Sequence, residues 1–173
     1  MPSPIVHLAD VVPQPRPPEF MPPAEVAQRI EMRLGRIGSA LGLQHLGCNL
    51  VVVPPGKQAF PFHNHRHNDE MFVILAGQGE LRFGSTRHPL REGDVVGCPA
   101  GGPDTAHAIS NTGATDLRYL ALSSQHTPEI CDYPDSGKFG VFDARPAATP
   151  GGAPDAFHHF GRADRPVDYW DGE

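Results

Sequence analysis

The chain has 173 residues and carries 14 Lys and Arg against 20 Asp and Glu, a formal net charge of −6 with no basic cluster. That balance weighs against nucleic acid and anionic membrane surfaces as partners, and the length suits one domain with a core that needs no staples. The longest uninterrupted apolar run, Met71 to Ala76, is far short of the ~18 residues of a membrane span. Cys48, Cys98 and Cys131 are odd in number and form no C-x-x-C. This fits a reducing cytosol and argues against a disulfide framework or a zinc–cysteine site. The start, Met1-Pro2-Ser3-Pro4, lacks the charged and apolar stretches of a signal peptide, so cytoplasmic is the default expectation.

Proline divides the chain. Eight of the 20 prolines precede residue 24, six lie from Pro128 onward and six fall between. Residues 1–23 therefore read as an extended N-terminal arm that forms neither helix nor central strand. Pro23 to Leu34 fits a short helix through Val26, Ile30 and Leu34, and fits a strand through Ile30, Met32 and Leu34. Residues 24–127 hold a procession of short strands. Leu46 to Val53 stops at Pro54-Pro55-Gly56. Ala59 to His65 and Glu70 to Leu75 read as a hairpin. Glu80 to Phe83, Thr86 to Leu90 and Val95 to Cys98 follow, punctuated by glycine turns. Thr105 to Ile109 and Leu117 to Leu122 flank Asn111-Thr112-Gly113. This cadence predicts an all-β sandwich or barrel. Residues 128–173 read as an irregular C-terminal extension packed on the barrel, with a turn cluster at Tyr133-Pro134-Asp135-Ser136-Gly137.

Chemistry concentrates at His63-Asn64-His65, with Glu70 five residues on and His107 much later. Histidines at i and i+2 of an extended segment share one side, with Cα atoms roughly 6.6 Å apart, so both imidazoles reach one cation. A turn over residues 66–69 brings Glu70 to the same point. Three imidazoles and a carboxylate suit one divalent transition metal (Fe, Mn, Ni, Co, Cu or Zn) in preference to Ca or Mg. Octahedral coordination leaves two positions for water or a chelating ligand, whereas tetrahedral zinc would close the site.

These residues resemble the two motifs of the cupin superfamily, of the conserved-barrel cupin-2 type. The first matches as Gly56, His63, His65, Glu70 and Gly77, with one extra residue after Gly56. The second matches as Gly93, Pro99, Gly101, His107 and Asn111, with five residues, Gly102 to Ala106, where the family has two. The resemblance implies a double-stranded β-helix, or jelly-roll barrel, with the metal inside, and a homodimer, a form in which members of the family often cross an N-terminal segment to the partner. The proline-rich arm suits that role, and the sequence leaves open whether it is swapped.

Strand phase then gives a substrate pocket. Phe72 and Ile74 share the face of Glu70, Thr105 and Ile109 share that of His107, and Tyr119 lies on a late strand. The loop Gly102 to Ala106 is expected at its mouth. The blander alternatives are a polar interior without metal for the four ligands, and a turn or pocket-rim position for His67. His7, His45, His88, His126 and the adjacent His158-His159 read as ordinary histidines. Cys98 reads as core, Arg82 as solvated, and Trp170 as packing over the barrel or a dimer seam. No catalytic acid or base is evident beyond Tyr119 and His67. Two functions fit: a metal-dependent enzyme (oxygenase, isomerase, decarboxylase or lyase) acting on a small oxygen-bearing molecule, or a binding or sensor module whose metal anchors a ligand.

Overall fold

The arrangement of the strands follows from which of their faces are apolar. In the computed structural model, which describes residues 3–145 and 155–173, the strands are β1 (Gln14–Pro15), β2 (Arg33–Arg36), β3 (Leu46–Val53), β4 (Asn64–His65), β5 (Glu70–Ala76), β6 (Gln78–Phe83) and β7 (Thr86–Arg91). They continue as β8 (Val95–Cys98), β9 (His107–Asn111), β10 (Leu117–Ser124), β11 (Glu129–Tyr133), β12 (Lys138–Arg145) and β13 (Asp155–Arg162). One layer is a six-stranded sheet in the order β1-β2-β3-β10-β5-β8. The facing layer joins β7-β6-β9 to β4-β11-β12-β13 through a bridge between His63 and His107. The two layers form the expected all-β jelly-roll barrel.

Between them packs one apolar cluster that includes Val51, Val53, Phe72, Ile74, Ile109, Leu117 and Tyr119. Alternation along β5 sends Phe72 and Ile74 inward while Met71 is exposed, the period-two pattern of a strand with one wet face. β3 is different. Its run Leu50 to Val53 is buried on both faces, because Leu50 and Val52 pack outward against Ile37 of a one-turn helix α1 (Ile37–Ala40) and against Leu8 and Val11 of the N-terminal segment. The arm thus covers its own barrel, pairs Gln14-Pro15 with Leu34 and Arg33 at the sheet edge, and sets the Arg16 guanidinium 5.1 Å from the Phe60 ring centroid. At the β5–β6 corner Gly77 has φ +88°, and a Cβ there would lie 2.7 Å from the Asp116 carbonyl oxygen, so the tight turn needs glycine.

One open alternative is resolved and four expectations change. Pro23 to Leu34 is both of the expected forms in turn, a single helical turn over Ala24–Ala27 and then β2. Ala59 to His65 and Glu70 to Leu75 do not form a hairpin. β4 pairs with β11 while β5 pairs with β10 and β8, so residues 66–69 cross from one layer to the other. Pro61 also has no N–H to give a ladder, and only Asn64–His65 is strand. Within 128–173, β11, β12 and β13 replace the expected irregular wrap, since the described prolines, Pro128, Pro134 and Pro166, lie outside the strands and leave their interiors free to pair; residues 146–154 lie outside the described residues. Trp170 is 72% exposed and meets only Tyr169, edge-on, among the ring contacts of the described residues, and the Arg82 guanidinium lies 3.5 Å from the Phe62 ring centroid and makes a two-pronged contact with Asp135. Among the described residues no helix is long and apolar enough to cross a membrane.

Candidate metal centre

Backbone pairing assembles the site. His63 and His107 exchange backbone hydrogen bonds, His63 N to His107 O at 3.1 Å and His107 N to His63 O at 2.7 Å, which sets their rings 4.9 Å apart. His65, two residues on along the same face, places its ring 5.0 Å from that of His63. Asn64, pointing the other way and fully buried, anchors β4 by donating to Gly101 O and to the Asp132 carboxylate. Glu70 arrives from the opposite sheet as the first residue of β5. Its Oε2 is 2.8 Å from His107 Nε2 and 3.3 Å from His65 Nε2. Donor atoms of His63, Glu70 and His107 all lie within 4.8 Å of one another. The structure therefore groups His63, Glu70 and His107 closely and sets the fourth expected ligand, His65, beside them with its Nε2 facing Glu70.

The donor set fits a divalent transition ion. His63 Nδ1 donates to Pro61 O at 2.8 Å, and His107 Nδ1 lies 3.2 Å from Thr105 O, so each ring has its Nδ1 engaged and its Nε2 aimed inward. His65 Nε2 is buried and has no hydrogen bond of good geometry despite its closeness to Glu70, an orphaned ring nitrogen that an ion, displacing its proton, would satisfy. Burial, with the charge of His107, lowers His63 to about 4, so this ring is neutral and ready to ligate at neutral pH. Burial alone would raise Glu70, but the His107 and His65 imidazoles outweigh it and hold the carboxyl well below the usual carboxylate range. For His65 burial lowers the pKa, yet the Cys131 thiol and Glu70 outweigh it and raise the ring to about 10.

The centre lies at the base of an open cavity of about 480 Å³. His63, His65 and Glu70 form its floor, while Glu129, Cys131 and Tyr133 of β11 and Phe142 of β12 form a wall. Gln44, His45, Ser123, Gln125 and His126 stand at the rim. Tyr133 stacks on His63 with centroids 6.0 Å apart and planes 18° apart. Burial, then the neighbouring Cys131, pushes its phenol up to about 12.

The expected pocket residues are elsewhere. Phe72, Ile74, Ile109 and Tyr119 do point inward, but inward there means a filled core. Phe72 packs 5.6 Å from His107 and edge-on to Tyr119, supporting the centre from beneath. Thr105 closes a 3₁₀ turn and bonds Gly102 O. The loop Gly102 to Ala106 packs on the β6–β7 turn, where Gly84 N donates to Ala106 O, and takes no part in lining the cavity. His67 is exposed as expected. His45 and His126, expected to be ordinary surface, are exposed but at the cavity rim. The wall of Glu129, Cys131 and Tyr133 was missed. Its signal was the alternation Glu129-x-Cys131-x-Tyr133, visible only once residues 129–133 are taken as a strand.

Residues 49–123 match the cupin domain family Cupin_2, so this stretch of the chain is a cupin domain. It is 36% identical over 70 residues to an oxalate-binding protein of Thermotoga maritima, covering 40% of this chain and 54% of that one. The chain spans about half the length of the curated relatives it matches. Among solved structures it resembles a putative sugar phosphate isomerase of Acidithiobacillus ferrooxidans, with TM-score 0.62 and 28% identity over 73% of this chain and 76% of that one. A cupin sugar phosphate isomerase of Silicibacter pomeroyi shares the fold over 96% of this chain and 98% of its own, with TM-score 0.73 at 23% identity.

Proposed function

We propose that the chain holds one divalent transition metal through His63, His65, Glu70 and His107 and acts as a metal-dependent cupin enzyme on a small oxygen-bearing molecule. What supports this reading is the grouping of His63, Glu70 and His107 from two facing sheets, with His65 Nε2 beside Glu70, at an open cavity lined by His63, His65 and Glu70. The oxalate-binding relative and the sugar phosphate isomerase resemblance agree with a small, oxygen-rich ligand.

When bound, the metal would supply a Lewis-acid centre with open positions for ligand oxygens. The protein's own residues do the rest. Glu70 offsets the ion's charge, and the Nδ1 contacts of His63 and His107 keep those rings in place. Phe142 and the Tyr133 ring exclude water on one side. With its pKa pushed up to about 12, the Tyr133 phenol stays protonated at neutral pH, so it serves a bound ligand as a hydrogen-bond donor or acid and not as a base.

A second reading, a non-catalytic binding module, is favoured by the oxalate-binding relative. Elemental analysis of the purified protein, followed by cobalt substitution and titration with oxalate and with sugars, tests both. About one ion per chain is expected, with spectra that a chelating ligand perturbs. His65→Ala should then lose most of the metal, because one lost donor from a four-donor chelate is costly. Full occupancy in that variant would overturn the ligand assignment. A ligand that perturbs the spectrum but is never turned over in any native-metal form would favour the binding module.

A further inference from the structure

Three imidazoles can aim one nitrogen each at a common point only if something holds the other nitrogen. For His63 and His107 the partner is a main-chain carbonyl two residues upstream, Pro61 O and Thr105 O. His65 differs. Its Nδ1 faces Cys131 Sγ at 3.3 Å, and the two residues are direct cross-strand partners where β4 pairs with β11. Register alone thus places the thiol against this ring.

The neighbouring carboxylate is not a substitute. Glu129 Oε2 is 3.9 Å from His65 Nδ1, beyond hydrogen-bond range. Its oxygens are also taken: Oε1 accepts from the backbone N–H of Arg66, His67 and Ile130, and Oε2 accepts from the Asn68 side-chain amide. The same saturation makes His65, Glu129 and Cys131 a poor second seat for a cation, although their donor atoms lie within 4.8 Å of one another.

We propose that Cys131 is a positioning residue for the centre: its sulfur accepts the Nδ1–H of His65 and so aims Nε2 at the metal. The inference rests on His65 being a ligand, as proposed above. An ion at Nε2 and the thiol at Nδ1 sit on different edges of the ring, so the thiol acts through His65 and not as a donor to the ion. Sulfur is a weak acceptor, which makes His65 the most loosely held of the three rings.

The test compares cobalt affinity, measured by chelator competition, with the visible spectrum and the metal-free thermal midpoint in the wild type, Cys131→Ala and Cys131→Ser. Loss of a hydrogen-bond partner to a ligating histidine typically costs about 10–100-fold in metal affinity, and Cys131→Ala should fall in that range with an altered cobalt spectrum. Cys131→Ser, which keeps an acceptor, should recover most of the loss. Equal affinity and identical spectra in wild type and Cys131→Ala would overturn the inference. So would a loss that serine does not rescue and that tracks a fall in metal-free stability, since that marks packing alone. A second cobalt ion with a sulfur-to-metal absorption band, abolished in Cys131→Ala, would overturn it in favour of direct ligation. A wild-type chain that binds no cobalt overturns both this inference and the function proposed above.

Discussion

The floor and the wall of the cavity come from stretches of chain with different character. The floor is built by residues 56–111, where each donor is a residue type with few other uses and turns are marked by glycine and proline. The wall is built by β11 and β12, where Glu129, Cys131, Tyr133 and Phe142 carry no spacing that singles them out. The floor residues meet through one backbone bridge, His63 with His107. The wall is brought to them by the pairing of β4 with β11, a contact between residues far apart in sequence. The candidate ligands are written in short local motifs, while their surroundings are written in the register of distant strands.

That contrast can be broken by substitutions on either side. Phe72 lies beneath the floor in the filled core. Phe72→Ala should cost about 3–5 kcal/mol of stability, read by denaturant unfolding. If it costs almost nothing, the side chain faces open space, and the pocket first expected from strand phase is restored. In the wall, Glu129→Ala removes an acceptor shared by three backbone N–H groups, of which Arg66 N keeps Ile130 O. With the other two left unsatisfied at roughly 1–3 kcal/mol each, it should cost about 3 kcal/mol, toward the low end because His67 is exposed. The thermal midpoint should fall by about 6–12 °C for a chain of this size. A fall of a degree or less would mean that the crossing at residues 66–69 does not depend on the wall.

Tyr133→Phe keeps the ring on His63 but removes the phenol donor. It should weaken ligand binding by about 0.5–1.5 kcal/mol, the net value of one hydrogen bond, with metal content unchanged. Loss of metal in that variant would instead tie Tyr133 to the floor. The smallest effect belongs to His67→Ala, since this ring is exposed and 3.9 Å from its nearest carboxylate contact, Glu129. Metal occupancy should stay the same within error. A stripped site would show that His67 takes the place assigned to another histidine.

The barrel was legible because alternation and turn residues are local signals. Leu46 to Val53 and Val95 to Cys98 were readable to the residue, and Glu70 does open its strand. The hairpin was not legible, because a four-residue link between two apolar runs looks the same whether the chain folds back in one sheet or crosses to another. The tail was misread because prolines between strands and prolines within them give the same composition. The pocket failed for a separate reason. Phase tells which way a side chain points, but only packing tells whether that direction holds a void or a neighbour, and Phe72 and Tyr119 fill each other's space.

The crossing of residues 66–69 has a mechanical side. With Glu70 on one sheet and the three histidines on the other, anything that binds all four clamps the layers at one end of the barrel. Backbone amides of β4 and β5 should then exchange with solvent hydrogen more slowly when the clamp is closed, while those of β6 and β7, joined by their own ladder, should hardly notice. Breathing of the cavity and residence of its occupant would be one motion.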